Sequence, residues 1–232
     1  MKKLSMIFYA VLLVLGTAGV ASADSIPIVN PSFEDTTGAA WYSGVSIPNP
    51  SYDFTGWPAS QAPAGWNILT SVPGGLILPG SGAPAVPSGG GSYYAWLNPG
   101  GSLWQDLVPI TPGETYKLTV DVGARQSEAT GGRYQLVIYS YSSGVYTDLK
   151  PYDGTVPTET WQQDVTLTYT AQATDSGLIG VTIRNMGGNQ ILADNFRLDT
   201  VLTAPVPEPA TMFLLGSGLI GVGIFVRRKF KR

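Results

Sequence analysis

TYKLTVDVGA, residues Thr115 to Ala124, is the stretch whose pattern decides the fold. Tyr116, Leu118, Val120 and Val122 alternate with Lys117, Thr119 and Asp121. A period of two places one set against a core and the other in water, which is the pattern of a half-buried strand. Thr111-Pro112-Gly113-Glu114 precedes it as a turn, with φ fixed at Pro112 and positive φ tolerated at Gly113. Working outward, similar segments rich in Tyr, Val, Leu, Ile and Thr run over Tyr93 to Leu97, Ser102 to Val108, Arg133 to Tyr141, Trp161 to Ala171, Leu178 to Asn185 and Gln190 to Asp199. Met186-Gly187-Gly188-Asn189 supplies a further turn. No helical periodicity interrupts them, so the middle of the chain reads as an all-β sandwich.

Thr36 to Gly91 departs from this pattern. It is rich in proline, and it holds the cluster Gly89-Gly90-Gly91 and the aromatics Trp41, Tyr42, Tyr52, Phe54, Trp57 and Trp66, without regular alternation. Such rings either serve a loop-borne function or cover the core where strands are missing. The span 24–203 is therefore expected to form one β-sandwich domain with a loop-rich part over 36–91.

Both ends carry a different signature. Lys2 and Lys3 precede an apolar stretch from Leu4 to Gly16, and Ala21-Ser22-Ala23 supplies small residues before a cut, so residues 1–23 read as a secretory signal peptide. At the other end, Pro207-Glu208-Pro209 leads into an apolar run over 210–226, and the basic tail 227–232 begins with Arg227 and Arg228. As a helix that run reaches about 25 Å, enough to cross the hydrocarbon core of a bilayer with little to spare. The cations after it hold the C-terminus in the cytoplasm.

The order of these three parts resembles the PEP-CTERM sorting signal of Gram-negative bacteria. The resemblance implies an exosortase as partner, an inner-membrane precursor, cleavage near the Pro-Glu-Pro element, and delivery to the cell surface or an exopolysaccharide matrix. A plain membrane anchor is the alternative reading of residues 204–232.

Removing both ends exposes the charge of the domain. The whole chain has a net charge of -3, yet the middle carries six cations against fifteen carboxylates, a balance of -9. An acidic surface repels phosphate backbones, so nucleic acid is not an expected partner. The chain has no cysteine and no histidine, which excludes Ser-His-Asp and Cys-His nucleophiles and the usual zinc ligands. Gly89 to Gly91 and Gly131-Gly132 lack the Lys-Ser/Thr or helix that would make a phosphate-binding loop. Carboxylate chemistry or binding without chemistry remains.

Within Gln190 to Asp199, Leu192, Asp194, Phe196 and Leu198 form the alternate set, which directs Asp194 to the interior. A buried carboxylate is costly unless it is paired, hydrogen-bonded or bound to a metal. Asp194 either accepts backbone N–H groups, pairs with Arg184 or Arg197, or ligates a hard cation such as calcium.

Val29-Asn30-Pro31-Ser32-Phe33-Glu34, Ala64-Gly65-Trp66, Pro112-Gly113-Glu114-Thr115-Tyr116 and Ile191-Leu192-Ala193-Asp194-Asn195-Phe196 together resemble the galactose-binding-like jelly roll of secreted carbohydrate-binding modules. That resemblance implies a jelly-roll β-sandwich with a structural calcium ion between the first and last strands. By position, Glu34 and Asp194 would be its side-chain ligands, with backbone carbonyls completing the shell.

Sugar recognition needs aromatic faces for the pyranose ring and polar groups for its hydroxyls. One face of the 133–141 segment presents Arg133, Gln135, Tyr139 and Tyr141, with Trp41, Tyr52, Trp57 and Trp96 as candidate flanking rings. Ordinary packing of these rings is the competing account. The expectation is a non-catalytic module for extracellular polysaccharide. The alternatives are a structural surface or matrix protein without a specific ligand, and a glycoside hydrolase built on paired carboxylates.

Overall fold

The computed structural model describes residues 23–35, 62, 65–69, 74–77, 84–85, 87–125 and 131–201. The signal-peptide segment apart from Ala23, the sorting motif at Pro207, Glu208, Pro209, Arg227 and Arg228, the apolar run 210–226, and Trp41, Tyr52 and Trp57 lie outside them.

Eleven strands are described: β1 (Ala23–Ile26), β2 (Asn67–Ile68), β3 (Gly74–Ile77), β4 (Tyr94–Leu97), β5 (Ser102–Pro109), β6 (Thr115–Ala124), β7 (Gly132–Ser142), β8 (Val145–Val156), β9 (Trp161–Thr170), β10 (Leu178–Gly188) and β11 (Ile191–Val201). They form two antiparallel sheets. One has the order β3-β4-β11-β6-β9, with β1 also on β11, and the other has the order β2-β5-β10-β7-β8. From β4 onward the chain crosses repeatedly between the sheets, as a jelly-roll sandwich requires.

The core lies between the two inner faces. Tyr116, Leu118, Val120 and Val122 of β6 face Tyr134, Leu136 and Ile138 of β7 and Ile179, Val181 and Ile183 of β10, all of them buried in one cluster. Thr115–Ala124 thus contributes the core face that its alternation implies. Its other face departs from expectation: Lys117 is exposed, but Thr119 and Asp121 are buried.

Two β-bulges explain this. The registers of β6 with β9 and of β6 with β11 both shift beside Asp121, and Asp164 and Asn195 adopt positive φ of 56° and 51°. Asp121 serves both irregularities. Its Oδ1 accepts the Asp164 backbone N–H at 2.7 Å, and its Oδ2 accepts the Asn195 side-chain amide at 2.8 Å. A buried carboxylate is tolerated here because both oxygens are occupied.

The bulge at Asn195 also reverses the parity of β11. Phe196 and Leu198 enter the main core, whereas Leu192 packs with Tyr94, Trp96 and Trp161 on the opposite face of the sheet. Asp194 pairs in register with Asp121, on that same opposite face. The expected alternation of Leu192, Asp194, Phe196 and Leu198 on one side is therefore corrected: an extra residue in a strand breaks the period of two.

β8 carries no apolar alternation and was not readable as a strand. Nearly all of its side chains are exposed or half-buried, with Val156 the buried exception, and it forms the outer edge of its sheet, where Pro151 needs no ladder partner. It follows β7 through the two-residue turn Ser143-Gly144, whose φ values of 52° and 83° are those of a type I′ hairpin. At the other end of the sheet, Gly187 and Gly188 continue to pair with β7 beyond a register shift at Met186, so the expected turn narrows to Asn189 and Gln190.

Three sequence-distant segments meet beside β11. Phe33, Trp66 and Phe196 form one aromatic cluster with ring centroids 4.7 to 6.0 Å apart, and Trp66 Nε1 donates to the Asn30 carbonyl at 3.0 Å. Gln105 continues the tie from the other sheet, accepting the Val29 N–H at 2.8 Å and donating to its carbonyl at 3.1 Å.

Leu136→Ala removes a fully buried side chain and is expected to cost about 2–5 kcal/mol by denaturant unfolding. Val145→Ala, at an exposed position on β8, is expected to stay within about 0.5 kcal/mol. A comparable loss at both positions would contradict the assignment of faces.

Candidate functional site

The burial of Tyr134, Leu136 and Ile138 fixes which residues β7 turns outward: Arg133, Gln135, Val137, Tyr139 and Tyr141. Antiparallel pairing then builds three rows across the outer face of the five-stranded sheet. Asp106, Gly180, Tyr139 and Asp148 form one; Trp104, Thr182, Val137 and Pro151 the next; Ser102, Arg184, Gln135 and Asp153 the third. Tyr141 lies opposite Tyr146 just beyond the first row.

Aromatic rings gather at one side of this lattice. Tyr146 stacks on Tyr141 with centroids 4.5 Å apart and planes at 28°, and meets Tyr139 at 5.4 Å and Trp104 at 6.4 Å in edge-on geometry. It remains 49 % exposed. Tyr139 is buried instead. A Cβ at Gly180 would overlap its ring, so the missing side chain there lets the phenol cross β10 and donate to Asp106 Oδ1 on β5 at 2.6 Å. Burial, reinforced by Asp106, holds the Tyr139 hydroxyl far above the usual phenol range, so it acts as a neutral donor.

Polar groups occupy the other side. Arg184 donates from Nη1 and Nη2 to the two oxygens of Asp148, both at 2.7 Å, and from Nη1 to Gln135 Oε1 at 2.9 Å. Gln135 in turn donates to Asp153 Oδ1 at 3.0 Å. The ion pair with Asp148 and burial act in opposite directions on Arg184, and the pair prevails to raise its pKa.

Between these groups lies a concave space. One cavity of about 300 Å³ is lined by Leu69, Ser102, Trp104, Tyr139, Tyr146, Thr182 and Arg184. A second, of about 540 Å³, shares Leu69, Ser102 and Arg184 with it and continues past Pro99 and Gly100 to Met186. The shared lining makes them one groove running from the tyrosine cluster toward the turn after β4.

Of the residues singled out in the sequence, Arg133, Gln135, Tyr139 and Tyr141 share this face, and Tyr139 lines the groove. Trp96 does not flank it. It is buried on β4 in the other sheet, packed with Tyr94 and Leu192. Sequence reasoning missed Trp104, Tyr146, Asp148, Thr182 and Arg184. Trp104 lay within an expected strand, but its neighbours depended on strand order. Tyr146 and Asp148 lay in a strand that hydrophobic alternation could not reveal; the Ser143-Gly144 pair was the available signal.

Glu34 and Asp194 sit elsewhere, near the 29–35 segment that runs along β11. Glu34 Oε1 accepts the backbone N–H groups of Ser92 and Tyr93, both at 2.7 Å. Asp194 is fully buried; its Oδ1 accepts the Asn195 N–H at 2.8 Å, and its Oδ2 has no hydrogen-bond partner. The expected alternative pairings of Asp194 are overturned, because Arg184 is bound to Asp148 and Arg197 to Asp164. Among the described residues, no cluster of three or more His, Cys, Asp or Glu forms a metal cage.

Burial, with smaller contributions from the Asp121 and Glu34 charges, pushes Asp194 from 3.8 up to about 8, against the backbone bond from Asn195. The folded chain then retains a proton that the unfolded chain has lost between those two values, so this carboxyl makes stability fall as pH rises from about 4 to about 8. In the presence of a chelator, Asp194→Asn is expected to remove that contribution. The melting-temperature difference between variant and wild type should grow in the variant's favour across that window; a pH-independent difference would refute the shift.

No curated protein sequence matches the chain. Among solved structures, the CBM22-1 xylan-binding domain of Paenibacillus barcinonensis Xyn10C is similar at 12% identity and a TM-score of 0.45, over 62% of this chain and 89% of that one. TmCBM61, solved with β-1,4-galactotriose, shows 16% identity and a TM-score of 0.43, over 75% of this chain and 97% of that one. The CBM22-1–GH10 modules of Clostridium thermocellum xylanase 10B, solved with xylohexaose, show 14% identity and a TM-score of 0.43 over 61% of this chain, which spans only 27% of that one.

Residues 205–229 match the PEP-CTERM protein-sorting motif, the mark of an exported protein handled by an exosortase at the cell envelope. Residues 24–199, most of the chain, match the HpiC1-like family, described as HpiC1 cyclase, and the chain belongs to that family.

Proposed function

We propose that the β-sandwich is a non-catalytic polysaccharide-binding module, carried by the sorting tail to the cell surface or extracellular matrix of a Gram-negative bacterium. The observation behind this reading is the continuous groove on the five-stranded sheet. Its two adjoining parts, of about 300 and 540 Å³, suit a chain of sugar units better than a single ring. Trp104 and Tyr146 offer apolar faces for pyranose stacking, while Thr182, Ser102 and Arg184 offer hydrogen-bonding groups. Because the tyrosines are already packed on one another, little side-chain freedom is lost when a ligand settles on them.

The test is affinity electrophoresis of the full-length chain in detergent through gels containing different polysaccharides. At least one polymer should retard it. Trp104→Ala and Tyr146→Ala should each weaken that retardation by about tenfold, the scale of losing about 1.4 kcal/mol of stacking. Absence of retardation in every gel would refute the proposal and leave a surface protein without a glycan ligand. Release of reducing sugar would instead favour a hydrolase.

A second reading rests on the family's description as a cyclase. A ring-closing enzyme would use the same groove, with the Asp106–Tyr139 pair as its polar couple. The two readings separate in the same gels, since a small-molecule enzyme has no reason to be retarded by a polymer.

A calcium ion held by Glu34 and Asp194 belongs to the same proposal. The residues fit it in one respect: Asp194 Oδ2 is a buried hard oxygen without a partner, and Glu34 lies close enough for its charge to act on it. Such an ion would tie the segment after β1 to β11, with backbone carbonyls as its remaining ligands. Binding would displace the Asp194 proton, so added calcium should raise the melting temperature more at pH 8 than at pH 6. An EDTA-insensitive midpoint at both values would remove calcium from the account.

A further inference from the structure

The charged groups on the outer face of β5, β7, β8 and β10 are Asp106, Arg133, Asp148, Asp153 and Arg184. Each carboxylate is already engaged. Asp106 accepts from Tyr139, Asp153 accepts from Gln135, and Asp148 holds both terminal nitrogens of Arg184. Arg184 is the cation that lines both parts of the groove. Its fork faces Asp148 rather than open space, and Gln135 Oε1 accepts a further hydrogen bond from Nη1. Bidentate pairing matches the geometry that a ligand carboxylate would otherwise use. An incoming carboxylate would have to displace Asp148, or sit beside three aspartates in a domain whose net balance is -9.

Resting on the polysaccharide reading above, we infer that the groove selects uncharged polysaccharide chains over uronic-acid polymers, and that Asp148 enforces the choice by occupying Arg184. Neutral hydroxyls can still accept from the remaining Arg184 N–H groups without disturbing the pair. The selectivity resides in one exposed side chain on the edge strand, with side-chain exposures of 38% for Asp148 and 33% for Arg184. Asp148 supports no core contact, so its replacement leaves the sandwich intact.

The test uses full-length chain in detergent and matched polymers: polygalacturonate and its carboxyl-reduced counterpart, alginate, xylan, galactan and β-glucans. Wild-type protein should bind at least one neutral polymer, and bind uronate polymers at least about tenfold more weakly at low salt, with the gap narrowing as salt rises. Asp148→Asn should strengthen uronate binding by about tenfold and so narrow the gap between uronate and neutral polymers. Adding Arg184→Gln to that variant should abolish the increase.

Equal wild-type binding to native and carboxyl-reduced polymer would overturn the inference while upholding the groove as a glycan site. An Asp148→Asn protein with native melting behaviour but no increase in uronate binding would overturn the role of Asp148. Failure to bind any polymer would overturn both the inference and the function on which it rests.

Discussion

The pleat of β7 is the constraint on which the rest of the molecule depends. Tyr134, Leu136 and Ile138 are buried against the opposite sheet, and this fixes the outward direction of Gln135, Val137, Tyr139 and Tyr141. A slip of one residue would send two tyrosines and a glutamine into the core and expose the apolar set. The energy that holds the sandwich together thus also sets the composition of the groove, though no groove residue need enter the core. Pairing with β10 and β8 then converts a linear alternation into rows. The tyrosine cluster, the Arg184–Asp148 pair and the phenol crossing over Gly180 are consequences of that register.

The opposite sheet obeys the same rule with two interruptions. Bulges at Asp164 and Asn195 flank Asp121, whose carboxylate supplies what each irregular backbone lacks. One residue too many in β11 shifts Asp194 away from the main core while leaving it without solvent. A carboxyl in that position is held between two states, neutral and proton-bearing or charged beside a cation. Its environment favours the former at neutral pH.

Much of the architecture was legible in the sequence because the signals were local. Thr115–Ala124 displayed its core face residue by residue, and Pro112-Gly113 announced the turn before it. The face of Asp194 was not legible, because positive φ at Asn195 leaves no mark in hydrophobic alternation. β8 was hidden for the opposite reason: an edge strand with one buried side chain needs no apolar pattern. The groove inherits this blindness. Arg133, Gln135, Tyr139 and Tyr141 could be grouped from one strand, whereas Trp104, Thr182 and Arg184 join them only through the order β5-β10-β7-β8, which is a long-range property of the sheet. Trp96 was misplaced because an aromatic residue in a strand carries no label for the sheet to which it belongs.

β8 has a further consequence. Its sequence carries few obligations to the core, since the sandwich asks of it little more than backbone pairing with β7 and the packing of Leu149 and Val156. One wall of the groove is therefore inscribed on the segment where substitutions are least constrained. Descendants of this chain can change what Tyr146 and Asp148 present without rebuilding the interior, so ligand preference and foldability are free to evolve on separate strands.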